Sequence, residues 1–420
     1  MVLGVGNPDR MLSEDEIRAV FAEGVRALAP KGKRLLFIIP DGTRSAPIPL
    51  CLRAITDATL GVASRVDFLV ALGTHLPMSE EALRRHVGIT QEEREGRYAQ
   101  VGFYNHDWKG DLLTIGTLTR EDTRELSDGM IEIEVPVQVN PRIMDYDHLV
   151  VVGPVFPHEV VGFSGGSKYF FPGISGPAVI DFTHWLGALR TSRATIGRED
   201  TPVRAAIDKA VAFIDRPISC FSMVVRGHHD LAGIYFGGLQ ESQKRAAELS
   251  AQVNVVWVDK PYQTVLSVMP TLYDDVWTGA KGMYKMEPVV ADGGTVIIYA
   301  PHIDEISYTH GKYLDEVGYH VRDYILAHWD RYKDYPWGVL AHSTHVKGDG
   351  TYVNGVEAPR IHVELATAVP RERCERINLG YRDPASIDVA AWQGREDEGI
   401  LVVPRAGEML HRLKQEGEKP

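Results

Sequence analysis

Residues 34–44 are Arg34-Leu35-Leu36-Phe37-Ile38-Ile39-Pro40-Asp41-Gly42-Thr43-Arg44, an apolar run that ends in a polar turn. The apolar part has the length of a buried strand. A second such run, Val66 to Leu72, ends in Gly73-Thr74-His75, and a third, His148 to Val152, ends in Gly153-Pro154. The sequence therefore predicts three buried strands, each followed by a turn.

Helical patterns separate these strands. A capping Ser13 before an acidic triplet predicts a helix that ends near Ala29, and residues 47–59 and 79–87 have helical patterns as well. Strands that alternate with helices predict an α/β fold with largely parallel sheets. Ligands of such sheets bind beyond the carboxyl ends of the strands.

The functional side chains that follow these strands are therefore expected to converge at one edge of the sheet. They are Asp41 and Arg44, His75, and the loop that holds His158.

A second α/β unit is predicted after the first. The sequence predicts helices at about 240–251 and 278–290 and strands at 253–258 and 295–300, with the linker in Pro261 to Tyr273. We therefore predict two α/β domains with largely parallel sheets, residues 1–265 and residues 266–420.

The composition narrows the class of protein. Of 420 residues, 44% are hydrophobic and 24% are charged, which is typical of a globular protein. The net charge of −12 and the lack of a basic run argue against a nucleic-acid partner. No apolar run approaches the length of a membrane span, and the first ten residues lack a signal pattern. Three distant cysteines fit a reducing compartment, so we expect a cytoplasmic protein.

The stretch from Pro157 to His184 contains the most candidate functional residues of any segment of similar length. It holds His158, the loop Gly162-Phe163-Ser164-Gly165-Gly166-Ser167-Lys168 and then His184. Such a loop can hold an anion with its backbone N–H groups, and a lysine can supply a charge or an amine. The loop is neither a Walker A motif nor a dinucleotide fingerprint.

Each candidate also has a structural interpretation. Asp41 to Arg44 suits a helix cap with a surface ion pair, and lone histidines such as His75 are often structural. The glycine loop suits a surface turn, and Lys281 suits a solvated helical lysine. His342 and His345 are expected in loops, without metal-ligand spacing around them.

Taken together, the motifs resemble those of the nickel-pincer-dependent lactate racemase family of 2-hydroxyacid racemases and epimerases. The resemblance spans essentially the whole chain. It rests on the following motifs: Asp41-x-Thr43-Arg44, Gly73-Thr74-His75, Asn105-His106-Asp107, His158, the glycine loop with Lys168 and Pro172-Gly173, His184, and Lys281.

The resemblance implies an isomerase with a nickel-pincer nucleotide, pyridinium-3,5-bisthiocarboxylic acid mononucleotide, which chelates nickel through one carbon and two sulfurs. It implies that His184 is the nickel ligand and that Lys168 can bond the cofactor as a thioamide. It further implies that His75 and His158 are the acid/base pair. It implies an active site in the cleft between the two domains, with residues 1–265 as the cofactor-binding domain and residues 266–420 contributing substrate-binding residues. The cofactor-binding residues would also include Asp41, Ser164, Gly165 and Gly166, and the substrate-binding residues would be Arg44, Trp277, Thr278, Lys281 and Trp392.

The chemistry agrees with this set of residues. The α-hydrogen of a 2-hydroxyacid is weakly acidic, whereas removal of hydride gives a planar keto acid that can take the hydride back on either face. Each face needs a base for the hydroxyl proton, and fixed cations must hold the carboxylate. Such an enzyme needs a small 2-hydroxyacid and the enzymes of cofactor synthesis as partners, and neither nucleic acid nor a membrane.

Two positions depart from the family pattern. Trp277-Thr278 stands where lactate racemases have Tyr-Gln, so we expect a substrate other than lactate, such as a dicarboxylic, aromatic or sugar acid. Ser167 stands where an arginine is common in the family.

Two other functions fit parts of the pattern. A zinc-dependent hydrolase could use His158, His184 and a carboxylate. A non-catalytic nucleotide- or cofactor-binding protein would keep the glycine loop and would not need His75 or His158.

Overall fold

A computed structural model describes residues 2–227 and 229–414 of the chain. Residue contacts divide the chain into two compact units. The first unit consists of Met1–Phe156, Phe163–Ile180 and Arg204–Val253, and the second of Pro157–Gly162, Asp181–Val203 and Asn254–Pro420. The sequence predicts a single domain boundary at 265/266, whereas each of these units is made of three separate segments of the chain. The assignment of cofactor binding to one domain and substrate binding to the other stays a prediction.

The strands in chain order are β1 Leu3–Gly6, β2 Arg34–Ile39, β3 Arg65–Val70, β4 Gly102–Asn105, β5 Leu113–Leu118, β6 Val135–Val139, β7 His148–Pro154, β8 Pro157–His158, β9 Gly162–Phe163, β10 Ile218–Arg226, β11 Asp230–Gly237, β12 Val255–Val258, β13 Tyr262–Val268, β14 Val290–Ala300, β15 Gly350–Val353, β16 Val356–Pro359, β17 His362–Thr367, β18 Gly380–Tyr381, β19 Ile400–Pro404 and β20 Leu410–Leu413.

The helices are α1 Glu14–Ala27, α2 Ile48–Thr59, α3 Glu80–Val87, α4 Gln91–Glu95, α5 Arg120–Leu126, α6 Pro177–Arg190, α7 Ser192–Thr195, α8 Pro202–Val211, α9 Leu239–Val253, α10 Val276–Gly279, α11 Lys281–Tyr284, α12 Gly311–Val317, α13 Arg322–Ala327, α14 Trp329–Tyr332, α15 Trp337–Lys347, α16 Arg371–Arg376 and α17 Val389–Trp392. Short 3₁₀ turns cover Pro141–Asp145, Gly166–Tyr169, Glu287–Val289, Pro384–Ser386 and Glu396–Glu398.

The first unit is built on a sheet with the strand order β1-β11-β10-β7-β2-β3-β4 in the described part of the chain. The pairs from β10 through β7, β2 and β3 to β4 are parallel, and β1 and β11 add an antiparallel edge. The chain leaves β2 toward β3 on one side and later returns to β7 on the other. The sheet therefore has a topological switch point between β2 and β7, where α/β folds bind ligands.

The helices that the sequence predicts before residue 90 are present as α1, α2 and α3. Ser13 and Glu16 make a reciprocal capping box at the start of α1, and Ser79 caps α3. The apolar faces of α1 and α2 belong to the hydrophobic core that also contains Phe37 and Phe68 of the central strands. This packing fixes the strand ends from which the functional side chains project.

The second unit is built on a parallel sheet with the order β18-β17-β14-β13-β19 among the described residues. Strand β13, with β-branched residues after Pro261, lies in the stretch where the sequence predicts a linker. The continuous helix predicted over 278–290 is wrong. Helices α10 and α11 and a 3₁₀ turn replace it, because Gly279, Gly282 and Pro288 disfavour a continuous helix.

The α/β fold class with largely parallel sheets is confirmed. Within residues 2–227 and 229–414, no helix combines the length and the apolar character that crossing a bilayer requires.

Candidate active site

Asp41 and His75 form a hydrogen-bonded pair at the carboxyl ends of β2 and β3. The imidazole Nδ1 of His75 contacts the carboxylate Oδ2 of Asp41. The strands are parallel neighbours, so the turns that follow them lie side by side, as the sequence leads us to expect. Because Nδ1 faces a carboxylate, the other ring nitrogen, Nε2, remains available for proton transfer.

Thr43 donates hydrogen bonds to the second oxygen of the Asp41 carboxylate. Its hydroxyl and backbone N–H donate to Oδ1 at 2.7 and 3.1 Å, and the Arg44 guanidinium donates to the Thr43 hydroxyl at 3.2 Å. Burial would raise the pKa of Asp41, but the charge and hydrogen bond of His75, with Arg44 and Thr43, hold that pKa well below its usual range. Asp41 is thus an ionised, buried carboxylate whose two oxygens both accept hydrogen bonds, and its contact with a cofactor stays a prediction.

The glycine loop belongs to the other side of the switch point. The Ser164 hydroxyl donates to the carbonyl of Pro154, the last residue of β7, at 3.1 Å and accepts from the Phe156 N–H at 2.9 Å. Residues 162–167 are all buried, so the surface-turn interpretation of this loop is wrong. Gly165 and Gly166 have φ of +85° and +57°, conformations that explain the glycines.

Lys168 lies in the 3₁₀ turn that ends this loop and is half-buried. The next residue, Tyr169, is buried and lies within the electrostatic range of Arg44 and Asp41. The backbone N–H of Gly73 donates to the Gly173 carbonyl at 2.9 Å, which ties the turn before His75 to the segment after the loop. The first unit therefore brings the loop near the strand ends that carry Asp41 and Arg44.

A cation lies behind the loop although Ser167 replaces the arginine expected there. The Ser167 hydroxyl donates to Asp208 of α8 at 2.5 Å. Arg204, one turn earlier on α8, donates to the carbonyls of Phe163 and Gly165, the latter at 3.3 Å. No local sequence motif marks Arg204, so its contact with the loop is visible only in the folded chain.

The Asn105-His106-Asp107 tripeptide supports the first unit. The Asn105 amide bonds both backbone polar groups of Met78. His106 is fully buried and bonds the Ser175 carbonyl at 3.0 Å and the Asn140 amide at 3.2 Å. These contacts hold the turn after β4.

In the second unit, His158 contacts its two successors in sequence. Its Nδ1 accepts the Val160 N–H at 3.2 Å and lies 3.5 Å from a carboxylate oxygen of Glu159. The side chains of His158 and Glu159 are 11% and 15% exposed, so this ion pair is largely shielded from water.

His184 lies on α6, as predicted for a helical residue, and is half-buried. His342 and His345 lie within its electrostatic range. The prediction that these two histidines lie in loops is wrong, because they belong to α15, whose residues from Gly338 to Val346 are all buried. Their three-residue spacing, which puts both on one helix face, was the signal available in the sequence.

Burial keeps these neighbouring imidazoles neutral. It lowers the pKa of His342 to about 3 and that of His345 to about 4. The Nε2 of His342 bonds the Trp277 carbonyl at 3.2 Å, and neither ring nitrogen of His345 has a hydrogen-bond partner among the described residues.

Trp277 is enclosed by two imidazoles. Its indole stacks on His342 with ring centroids 4.0 Å apart and tilts against His310 at 4.6 Å. The hydroxyl of the neighbouring Thr278 donates to the Asp275 carboxylate at 2.8 Å, as part of the cap of α10. The Thr278 hydroxyl therefore takes part in capping α10. The longer side chain of a glutamine at this position would place its amide beyond the cap.

The two remaining substrate-site candidates also lie in the second unit. The Lys281 ammonium lies over the Tyr273 ring, 4.5 Å from its centroid. Trp392 packs against the apolar cluster of Leu266, Ile297, Ala366 and Ile387 beside the sheet. Their contact with a substrate stays a prediction.

The described residues contain no grouping of three or more His, Cys, Asp or Glu side chains arranged to hold a metal ion. A chelating cofactor supplies metal-binding atoms of its own, so the metal needs fewer ligands from the protein than a bare ion does. His184 is the predicted protein ligand.

The comparisons with known proteins agree on one family. The model of the lactate racemase N-terminal domain matches residues 14–197. The lactate racemase of Thermoanaerobacterium thermosaccharolyticum is 26% identical over 289 residues, which cover 66% of this chain and 62% of that protein. The lactate racemase of Lactiplantibacillus plantarum is 23% identical over 282 residues, 64% of this chain and 61% of the relative. The chain thus spans about three fifths of the length of these curated relatives.

Solved structures extend the likeness over the whole fold. A crystal structure of a protein from Thermotoga maritima has a TM-score of 0.90 and 31% identity, covering 98% of this chain and 100% of that one. The lactate racemase apoprotein from Thermoanaerobacterium thermosaccharolyticum has a TM-score of 0.69 over 96% of this chain and 93% of its own, and its 20% identity shows the fold alone. Residues 14–197 thus match the lactate racemase N-terminal domain, and the chain has the fold of a lactate racemase.

Proposed function

We propose that this protein is a racemase or epimerase that inverts C2 of a 2-hydroxyacid with a nickel-pincer nucleotide. The observation that carries the proposal is the Asp41–His75 pair at the switch point of a parallel sheet. A histidine held at Nδ1 by an ionised carboxylate is a general base at Nε2, and it stands where α/β folds bind ligands. The match of residues 14–197 to the lactate racemase N-terminal domain supports the reaction class.

The residues around His184 are compatible with a bound nickel ion. An imidazole is a good nickel donor, and the surrounding His342 and His345 are neutral, so they do not repel a cation. Lys168 ends a buried loop with two left-handed glycines. In this proposal His184 supplies the protein ligand, Lys168 contacts or bonds the nucleotide, and Ser164 to Gly166 shape its seat.

When bound, the cofactor would supply a reversible acceptor for the hydride of C2. The chain's own residues do the rest. His75 takes the hydroxyl proton of one enantiomer and His158 that of the other, each giving a proton back in the reverse direction. Arg44 and Lys281 hold the substrate carboxylate while the keto group forms.

The contacts of Trp277 and Thr278 favour a substrate other than lactate. Thr278 is shorter than the glutamine that lactate racemases have at this position. Its hydroxyl donates to Asp275, so neither an amide nor a free hydroxyl is available to the substrate here. The Trp277 indole packs against His310 and His342, so it is held in place beside Thr278. We therefore propose a 2-hydroxyacid with a larger C3 substituent.

The experiment combines metal analysis with a substrate screen. The protein is produced with the cofactor-synthesis enzymes and nickel, its nickel content and visible absorbance are measured, and a panel of chiral aliphatic, aromatic, dicarboxylic and sugar 2-hydroxyacids is followed by chiral chromatography. We expect about one nickel per chain, a visible band and loss of optical purity for at least one acid larger than lactate. Zinc in place of nickel would favour a hydrolase and contradict the proposal.

Lys168→Ala tests the cofactor seat. We expect this variant to lose most of its nickel and visible band during gel filtration, with unchanged thermal stability of the cofactor-free protein. Lys244→Ala, which replaces a lysine on α9, is the control and should keep both. A Lys168→Ala protein that retains the cofactor through denaturation would contradict a covalent bond at this residue.

A further inference from the structure

Two neighbours compete for Nδ1 of His158. The Val160 N–H donates to this nitrogen at 3.2 Å, which requires a lone pair on Nδ1 and places the ring proton on Nε2. The Glu159 carboxylate lies 3.5 Å away, and an ionised carboxylate favours a proton on Nδ1, which frees Nε2 to accept one. The same ring is thus a proton donor at Nε2 in one state and a proton acceptor at Nε2 in the other.

The surroundings make this competition strong. Both side chains are largely buried, so the attraction between Glu159 and a proton on Nδ1 is weakly screened. His345 lies within the electrostatic range of Glu159 and is itself 4% exposed. The Glu159 carboxylate therefore acts electrostatically on two imidazoles, those of His158 and His345.

We propose that Glu159 is the positioning residue of His158: its carboxylate competes with the Val160 N–H for Nδ1 and so selects the ring nitrogen that carries the proton. This residue is not among the family motifs that the sequence shows. The catalytic consequence rests on the proposed function, since a two-base racemase needs each histidine to accept a proton in one direction and donate it in the other. The tautomer selection itself is a property of the cofactor-free protein.

The test is ¹⁵N NMR of the imidazole nitrogens in cofactor-free protein labelled at histidine, with the His158 signals assigned by their loss in His158→Gln. We expect Glu159→Gln to move the Nδ1 resonance of His158 toward the unprotonated position, because Val160 then has no charged competitor. Glu159→Asp keeps the charge and should restore part of the change. Glu23→Gln, which removes an exposed charge on α1, is the control and should leave the signals unchanged.

Kinetics of the loaded enzyme add a second readout. The equilibrium constant between two enantiomers is 1, so kcat/KM must fall equally in both directions, by roughly 10- to 100-fold for an outer partner of a reacting group. The fall should lie mainly in kcat, since Glu159 does not contact the substrate in this proposal, and the nickel content should not change.

The outcomes separate the two proposals. A His158 resonance that is identical in Glu159→Gln and wild type would overturn the role of Glu159, whatever the activity. A shifted resonance in a protein that, loaded with cofactor, inverts no 2-hydroxyacid would support tautomer selection by Glu159 and contradict the proposed function instead.

Discussion

The histidines of the two units are held in opposite ways. In the first unit, His75 has its Nδ1 against Asp41, an ionised carboxylate at a strand end. In the second unit, His342 and His345 lie inside α15. Burial lowers the pKa of His342 to about 3 and that of His345 to about 4. A carboxylate in contact with Nδ1 favours a proton on that nitrogen, whereas burial away from a contacting carboxylate favours the neutral ring. The first arrangement suits a residue that moves protons, and the second suits one that must stay uncharged near a cation.

His158 resembles His75 and not the buried histidines of α15. It has a carboxylate beside Nδ1, as His75 does, although it lies in the second unit and its partner is its neighbour in sequence. The comparison therefore predicts that His75 and His158 are needed for turnover, and that His342 and His345 matter for stability and for the environment of His184.

The largest expected effect follows from removing either proton-transferring imidazole. We expect His75→Ala and His158→Ala each to lower kcat by roughly 10³-fold or more, since general acid–base groups contribute about 10²- to 10⁴-fold and each direction needs both. Nickel content and the visible band should remain. The measurement is the initial rate of racemisation in both directions by chiral chromatography.

His362→Ala, at an exposed position on β17, is the matched control and should racemise like wild type. Full racemisation by either of the two variants would remove the two-base mechanism and leave the His–carboxylate pairs as structural features only.

The next effect concerns the carboxylate that orients His75. Asp41→Asn should lower kcat by roughly 10²- to 10⁴-fold, because an amide can donate to Nδ1 and so favours the wrong tautomer. Thr43→Val removes only the hydroxyl that donates to the other oxygen at 2.7 Å, and we expect a loss of about tenfold or less. Cofactor content, measured in parallel, separates this role of Asp41 from a role in holding the nucleotide. Equal losses in the two variants would mean that the carboxylate acts through the Thr43 turn and not through His75.

Much of the first unit could be predicted from the sequence, for a physical reason. Its strands are short unbroken apolar runs, and each ends in a turn with a functional side chain. In a parallel sheet all these ends lie at one edge, so Asp41 and His75 were expected close together before their contact was known. The capping residues Ser13 and Ser79 also act locally, within one helical turn.

The second unit was harder to predict because its signals are not local. Residues Gly338 to Val346 of helix α15 are all buried, so its apolar residues have no helical periodicity and the sequence predicts loops around its histidines. Glycines and a proline divide the segment after Asp275 into short turns. Arg204 reaches the glycine loop from 39 residues away, a contact that only the folded chain reveals.

The smallest expected effect tests the buried histidines through the pH dependence of stability. Above about pH 6.5 His345 is neutral in both the folded and the unfolded chain. Between about pH 6.5 and about 4 the unfolded chain binds a proton at this residue and the folded chain does not, so the free energy of unfolding falls as the pH falls. The slope for one such histidine is at most about 1.4 kcal/mol per pH unit.

His345→Gln should therefore flatten the acid side of the stability curve by up to about 1.4 kcal/mol per pH unit in cofactor-free protein. The measurement is urea unfolding at a series of pH values from neutral to about 4. His362→Gln removes an exposed histidine instead and should leave the slope nearly as in wild type. If both variants have the same slope, then His345 is protonated in the folded chain, and the contrast between the carboxylate-paired histidine of the first unit and the buried histidines of the second does not hold.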